Sequence, residues 1–145
     1  MSIGSAGVDL RSQVQAFFQS GIDSIRTDRQ QRLADFQKLA GDLKSNDITD
    51  AKAQVQAIGD LTNKIQTTRS SLQDVRSQVQ DVHNDFVQRR AEYHALRGDL
   101  QKQDYAAAKI AFGELVNTTK GLATDLKSLV GAIAPPAGSS VNATA

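Results

Sequence analysis

The sequence predicts an all-α protein, an elongated antiparallel bundle or coiled coil of three long helices, and three observations lead to this prediction. Apolar residues recur at intervals of three and four over most of the 145 residues, which is the spacing of one buried side of a helix. Proline occurs twice and cysteine not at all. Part of the chain also recurs 57 residues later. A repeated pair of packed helices accounts for the spacing, the scarcity of proline and the recurrence.

The repeat defines the domain organisation. Residues 28–58 match residues 85–115 at 11 of 31 positions without a gap, and both copies contain Gly-Asp-Leu followed by a second aspartate and Ala-Lys. The short connection between the apolar stretches of each copy requires two helices that run antiparallel. We therefore predict a single helical domain, residues 8–134, made of two helix–turn–helix repeats at about 18–65 and 75–122.

Each helix has a predicted line of buried residues and a predicted start. In the first helix the line runs through Phe18, Ile22, Ile25, Arg29, Arg32, Phe36, Leu39 and Leu43. Asp47 is the predicted N-cap of the second helix, because an aspartate carboxylate accepts hydrogen bonds from free amides there. That helix continues from Ile48 to Leu100 with members such as Ala51, Val55, Ile65, Val75, Val82 and Tyr93. Asp104 is the predicted cap of the third, with Tyr105, Ala108, Phe112, Leu122 and Leu129 on its line.

Continuity of the central helix, about 48–100, is the main alternative within this fold. No glycine or proline lies between Asp60 and Arg97, and the heptad spacing holds across this stretch. However, Ser70 followed by Gln73 forms a weak capping box, and a break near 67–71 would give a compact four-helix bundle. The continuous helix is favoured, and the four-helix bundle remains the alternative.

The two ends of the chain are expected to be irregular. Residues 1–7 are small and polar and are predicted to be a flexible N-terminus, and residues 135–145, which begin with two prolines, to be a disordered tail. No cleavable signal is recognisable and the apolar runs are too short to cross a bilayer. We therefore expect a soluble cytoplasmic protein, with export that needs no cleavable signal left open.

The charge balance argues against nucleic acid as a partner. Seventeen basic and 16 acidic residues leave a net charge of +1, whereas nucleic-acid binding needs a clustered excess of positive charge. Arginines 26, 29 and 32 alternate with aspartates 23, 28, 35 and 42, and arginines 89, 90 and 97 alternate with Asp85, Glu92 and Asp99. We interpret both sets as ion pairs on a solvent-exposed side of a helix.

The candidate chemical residues all have structural explanations. His83 and His94 are the only histidines, and a spacing of 11 residues is too long for two ligands of one metal ion. Asp42, Asp99, Asp47 and Asp104 recur at the two turns, where the second pair is expected to cap helices and Gly41 and Gly98 to relieve crowding or end them. We therefore predict no catalytic, cofactor-binding or metal-binding residue, no cofactor and no enzyme activity.

The repeated motif, Phe/Tyr-x-x-Leu-x-Gly-Asp-Leu-x-x-x-Asp-x-x-x-Ala-Lys, resembles a duplicated motif of small, mostly uncharacterised bacterial helical proteins. It covers about residues 28–58 and 85–115, and the resemblance implies a helical fold and no particular activity. It is not a tetratricopeptide repeat, whose period is shorter.

Three functional hypotheses follow from the narrow apolar lines. The first is a non-enzymatic interaction or assembly module that forms a homo-oligomer or binds a protein partner, because such a line needs another surface to cover it. The alternatives are a phasin-like protein at a lipid or polymer interface and a subunit of an exported helical filament. Peripheral membrane contact is not expected, because the apolar lines are narrow and rich in glutamine.

Overall fold

The computed structural model describes residues 3–134, with side chains from residue 9 onward, and they form three long α-helices. Helix α1 is Ile3–Lys44, α2 is Ile48–Gln101 and α3 is Tyr105–Ile133, and no strand occurs in this part of the chain. The all-α prediction with three long helices is confirmed. The predicted start of α2 is also correct, and its end lies one residue beyond the predicted one.

Helix α2 continues through residues 67–71, where the alternative four-helix bundle required a break. The hydroxyl groups there do not cap a new helix. Thr67 donates to the carbonyl of Asn63 at 3.0 Å, and Thr68 donates to the carbonyl of Lys64 at 3.0 Å. Bonds of this kind use the hydroxyl within the existing helix and are compatible with its continuation.

The helix termini differ from the sequence prediction at one end of the chain. Helix α1 begins at Ile3, so residues 3–7 belong to it, although the sequence analysis assigned them to a flexible N-terminus. Extending an existing helix costs far less free energy than starting a new one, which explains the additional turn at the N-terminal end of α1. Helix α3 ends at Ile133 with Ala134 as its C-cap. The predicted tail, residues 135–145, lies outside the described residues.

The two turns have the same backbone geometry. Asn46 and its repeat equivalent Gln103 have positive φ angles of 57° and 61°. The amide of Asp47 donates to the carbonyl of Asp42 at 2.8 Å, and that of Asp104 donates to the carbonyl of Asp99 at 2.9 Å. This bond across six residues, after a residue in the left-handed region, is the Schellman arrangement that ends helices.

The two glycines of the motif do not end the helices. Gly41 lies inside α1 and Gly98 inside α2, neither has a positive φ angle, and a methyl group added to either would contact nothing within 4 Å. The prediction that these glycines relieve crowding or end the helices is therefore wrong. Asn46 and Gln103 take that role.

The chain divides into two compact units, unit 1 from Met1 to Asp74 and unit 2 from Val75 to Ala145, and each contains one copy of the repeat. Unit 1 pairs α1 with residues 48–74 of α2, and unit 2 pairs residues 75–101 of α2 with α3. Each pair is antiparallel. In unit 1 the contacts Arg32–Thr62 and Asp28–Lys64 advance in opposite directions along the two helices.

The core of each unit is small and built from aliphatic residues. Two buried positions are shared by the repeats, Ala51 with Ala108 and Ile65 with Leu122. The other buried apolar residues of the described chain are Val75, Val82, Ala111 and Leu129. With the exception of Ala111, all of these lie on the apolar lines that the sequence predicts.

Candidate functional site

A line of carboxylates follows the helix contact in both units. Asp28, Asp35 and Asp42 lie at seven-residue intervals on α1, and their repeat equivalents on α2 are Asp85, Glu92 and Asp99. We call these six residues the carboxylate lines. Asp28, Asp35 and Glu92 are buried, with 4%, 5% and 9% of their surface exposed, and the other three are half-buried.

This position corrects the sequence interpretation, which placed these carboxylates in ion pairs on an exposed side of the helix. Adjacent residues on a helix point about 100° apart, so a shift of one position exchanges covered and exposed residues. In α1 the contact runs through Asp28, Asp35 and Asp42, one residue before the predicted Arg29, Phe36 and Leu43. The second unit shows the same displacement.

In unit 1 the carboxylate line has one cationic partner and one amide partner. Lys64 Nζ of α2 lies 3.2 Å from Asp28 Oδ1 and forms a salt bridge with it. Gln31 donates from Nε2 to Asp35 Oδ1 at 2.9 Å within α1. Because a buried carboxylate without a partner is costly, both contacts stabilise the pairing of the two helices.

In unit 2 the buried Glu92 has two neutral partners. Gln88, the repeat equivalent of Gln31, donates to Glu92 Oε1 at 2.8 Å, and so the same bond occurs in both copies. Thr118 of α3 donates to the same oxygen at 2.7 Å. Unit 1 has Leu61 at the position of Thr118, and so Asp35 lacks this second donor.

Asp85 and Asp125 form a pair of carboxyl groups between α2 and α3. The pKa of Asp85 is raised, first by a hydrogen bond with the Asp125 side chain, then by burial and by the negative charges of Asp125 and Asp81. Two neighbouring carboxyls favour a state in which they share one proton. This pair replaces the Asp28–Lys64 salt bridge, because the repeat has Gly121 at the position of Lys64.

The carboxylate lines also hold most of the unpaired buried oxygens. Among the described residues, the buried side-chain oxygens without a hydrogen bond are Oδ2 of Asp28, Asp42 and Asp85, Oε2 of Glu92 and Oε1 of Gln78. Gln78 lies seven residues before Asp85 and so belongs to the same row. Polar groups at these positions oppose dense apolar packing, which limits the stability of each helix pair.

Each unit also exposes an apolar face near its turn. The first apolar face consists of Phe36, Leu43, Ile48 and Val55, and the second consists of their repeat equivalents Tyr93, Leu100, Tyr105 and Phe112. All eight were predicted to be buried, yet each is between 49% and 66% exposed. In unit 2 a surface groove lined by Phe86, Tyr93 and Leu115 with two arginines adjoins the second face.

The members of each face lie side by side. Phe36 and Leu43 are seven residues apart and so lie on one side of α1, and Ile48 and Val55 lie likewise on one side of α2. On each helix they occupy the same position beside the contact line. In an antiparallel pair equivalent positions are neighbours, so the four side chains form one surface.

The turn aspartates act as helix caps, as the sequence predicts. Asp47 accepts from the amide of Asp50 at 3.0 Å, and Asp104 accepts from the amide of Ala107 at 3.1 Å. The negative charge of Asp47 raises the pKa of Asp50, with smaller contributions from burial and from Asp42. The described residues contain no group of three or more side chains placed to hold a metal ion.

The histidines and the other arginines of the two sets lie on the surface, whereas Arg32 is half-buried and donates to the Thr62 hydroxyl of α2 at 3.2 Å. His83 and His94 are exposed, and the ring of His94 packs edge-on against Tyr93 with centroids 6.1 Å apart. Arg26 forms a salt bridge of 4.0 Å with Asp23, as expected for a helix surface. Arg26, Arg29 and Arg69 line a shallow groove together with Ile22 and Ile25.

Comparisons with known proteins give no family for this chain. No family model matches the sequence, and neither the curated proteins nor the solved structures compared show significant similarity to it. Within residues 3–134, no helix is long and apolar enough to cross a membrane. The resemblance to duplicated bacterial helical proteins remains a prediction from the motif, and the two apolar faces are the strongest candidate for a functional surface.

Proposed function

We propose that this protein is a non-enzymatic assembly module that associates with further copies of itself through its two apolar faces. One observation carries the proposal: four large apolar side chains are about half exposed near the turn of unit 1, and the same four positions are exposed in unit 2. Scattered exposed apolar residues are ordinary on protein surfaces, but a repeated cluster is not.

The area of the faces fits a protein interface. A half-exposed large side chain offers roughly 100 Å², so each face offers roughly 400 Å², about the size of the largest apolar patch on an ordinary monomer. If both faces of a chain engage a partner chain, about 1,600 Å² is buried in total, which is the standard size of a stable interface.

A second copy of the chain fits these faces better than a lipid surface does. An arginine lies four residues before the aromatic residue of each face, Arg32 before Phe36 and Arg89 before Tyr93, and glutamines lie on both helices. An interfacial membrane helix needs a wide uninterrupted apolar side, whereas a narrow apolar row with flanking charges suits pairing between helices.

Two modes of assembly are open to such a chain, and they give different sizes. If both faces of a chain engage the same partner chain, the assembly closes as a dimer. If the two faces engage two different chains, the assembly is a ring or grows as a filament. The molar mass at increasing concentration distinguishes the two modes.

The test uses light scattering and sedimentation on the full chain. We expect the wild type to exceed the monomer mass of 15.6 kDa at tens of micromolar, and the double variant Phe36→Gln/Tyr93→Gln to shift toward the monomer. The matched control is Leu33→Gln/Ile110→Gln. These two residues are as exposed as the faces, but neither has a large apolar residue at its position in the other repeat, and their replacement should leave the mass unchanged.

Two results would contradict the proposal. The first is a wild type that stays monomeric over this concentration range, and the second is an equal effect of the control variant. Flotation with liposomes of neutral and anionic lipid tests the interface alternative separately. Flotation of the wild type that is lost in Phe36→Gln/Tyr93→Gln would assign the faces to lipid instead.

A further inference from the structure

Unit 1 has an open groove between α1 and α2 whose lining combines arginines with apolar side chains. Its volume is about 450 Å³, which falls within the range of about 300–1,000 Å³ that is usual for small-molecule sites. The lining residues are Ile22, Ile25, Arg26, Arg29 and Gln30 of α1 and Arg69 of α2. We call this surface the arginine groove. It shares no residue with the first apolar face and is therefore independent of the proposed assembly.

Contacts between the two helices place Arg69 beside the α1 residues of the groove. Lys64 of α2 forms a salt bridge with Asp28 of α1, and Leu72 of α2 lies against Gly21 of α1. Arg69 lies between Lys64 and Leu72 on a continuous helix, so it is level with the part of α1 between residues 21 and 28. Guanidinium groups from two helices thus border one groove.

Two of the three arginines have no carboxylate partner. Neither Arg29 nor Arg69 forms a salt bridge within residues 9–134. No acidic residue lies within four positions of Arg69 on α2, and Asp28, the neighbour of Arg29, is buried and already held in a salt bridge. Arg26 contacts Asp23 at 4.0 Å, and both side chains are more than half exposed. The groove therefore has an excess of positive charge that its neighbours do not offset.

The second copy of the repeat shows that helix pairing does not require these arginines. Val79 and Val82 occupy the positions of Ile22 and Ile25, so the apolar pair is present in both copies. The positions of the three arginines are occupied in unit 2 by His83, Phe86 and Leu126. Unit 2 nevertheless forms the same kind of compact helix pair. The positive charge of the groove is thus a property of unit 1 that the fold itself does not explain.

We propose that the arginine groove binds a small organic phosphate. Arg29 and Arg69, with Arg26 beside them, hold the phosphate group, and the apolar part of the ligand lies against Ile22 and Ile25. A planar guanidinium group suits this role because it donates two parallel hydrogen bonds to a phosphate. A small anion fits better than a nucleic acid, because the net charge of +1 provides no extended attraction for a long polyanion.

The direct test is a titration of the full ¹⁵N-labelled chain with phenyl phosphate, followed by the amide chemical shifts. We expect the shifts to concentrate at residues 22–30 and around Arg69. Inorganic phosphate, which lacks the apolar part, and benzyl alcohol, which lacks the charge, should both bind more weakly than phenyl phosphate. Binding of phenyl phosphate should also weaken as sodium chloride is added, because salt screens exposed charges.

Substitutions at exposed helix positions separate the groove from the overall charge. Arg29→Gln/Arg69→Gln should weaken phenyl phosphate binding about tenfold or more, since charge-assisted hydrogen bonds are lost. Arg29→Lys/Arg69→Lys keeps the charge but removes the planar donor pairs, and it should give an intermediate loss. Arg11→Gln/Arg76→Gln is the control, because it changes the net charge equally at exposed positions outside the groove, and it should leave the affinity unchanged.

Three results would overturn the proposal. The first is the absence of shifts at the groove at millimolar phenyl phosphate, and the second is an equal loss of affinity in the Arg11→Gln/Arg76→Gln control. The third comes from flotation with phosphatidic acid vesicles. If the chain floats with these vesicles, fails to do so as Arg29→Gln/Arg69→Gln, and does not bind phenyl phosphate, the groove recognises a lipid headgroup and not a small molecule.

Discussion

Lys64 of α2 reaches Asp28 of α1 across unit 1, with Nζ 3.2 Å from Oδ1, and forms the only salt bridge between helices among the residues that the structure describes. The two partners differ in exposure: the Asp28 side chain is 6% exposed and that of Lys64 is 62% exposed. The lysine thus neutralises a buried carboxylate from the solvent side. This is possible because the long lysine side chain can lie along the protein surface while its ammonium group stays hydrated.

Removal of the Lys64 ammonium group should therefore lower the stability more than removal of one partner of an ordinary surface ion pair. We expect Lys64→Met to lower the free energy of unfolding by about 1–2 kcal/mol, because Asp28 is left buried without its donor. Solvent screening of the exposed ammonium group limits this loss. Urea denaturation at pH 7 measures the change. Lys52→Met, at an exposed position of the same helix, is the control and should change stability little.

The Thr118 hydroxyl should contribute more to the stability of unit 2 than the Thr119 hydroxyl does. Thr118→Val deletes the 2.7 Å bond to buried Glu92, and we expect a loss of about 1–2 kcal/mol. Thr119→Val makes the same chemical change next to it. The Thr119 hydroxyl donates to the carbonyl of Leu115 in its own helix, so this control should change stability much less. Equal effects would show that Thr118 does not support Glu92.

Gly21 is a packing residue, in contrast to the glycines of the motif. A methyl group on Gly21 would lie 2.5 Å from Leu72 Cδ2, whereas one on Gly41 would touch nothing within 4 Å. Gly41→Ala should stabilise by up to about 1 kcal/mol through helix propensity, and Gly21→Ala should stabilise less, because the Leu72 side chain must shift to admit the methyl group. Thermal denaturation of both variants measures the difference.

Gln103 adopts a backbone conformation that favours glycine. Its φ angle of 61° lies in the left-handed region, so Gln103→Gly should stabilise the turn between α2 and α3 by about 1 kcal/mol. Gln101→Gly serves as the control, since the same substitution inside the last turn of α2 should destabilise by about 0.5–1 kcal/mol. A stabilising effect of both, or of neither, would contradict the assignment.

The sequence could predict helices and caps because these depend on neighbours along the chain. The 3-4 spacing, with a single 3-3 step at Ile58–Leu61, predicts α2, and the aspartate before Ile48 predicts its cap, without reference to any partner. Several core residues, among them Ala51, Ile65 and Leu129, follow from the same spacing. The positions of the glycines were misleading, because a glycine near a turn need not be the residue with positive φ.

The candidate site could be predicted only in part. The sequence indicates apolar rows that need a partner, but it assigned Phe36 and Tyr93 to the interior and Asp35 and Glu92 to the surface, and the structure has the opposite arrangement. One signal was available. The acids recur at intervals of seven and at equivalent positions of both repeats, a regularity that solvated charges do not need.

The sequence by itself therefore determined the helical class, the start of α2, the two aspartate caps and the duplicated unit, and it left the continuity of α2 open. Only the tertiary structure decided which side of each helix is covered. Two neighbouring heptad positions are only one residue apart. The helix propensity of the sequence is therefore nearly the same whichever of the two positions faces the partner helix. Contacts between distant residues, such as Asp28 with Lys64, Gly21 with Leu72 and Glu92 with Thr118, select the register. That register leaves the two apolar faces exposed.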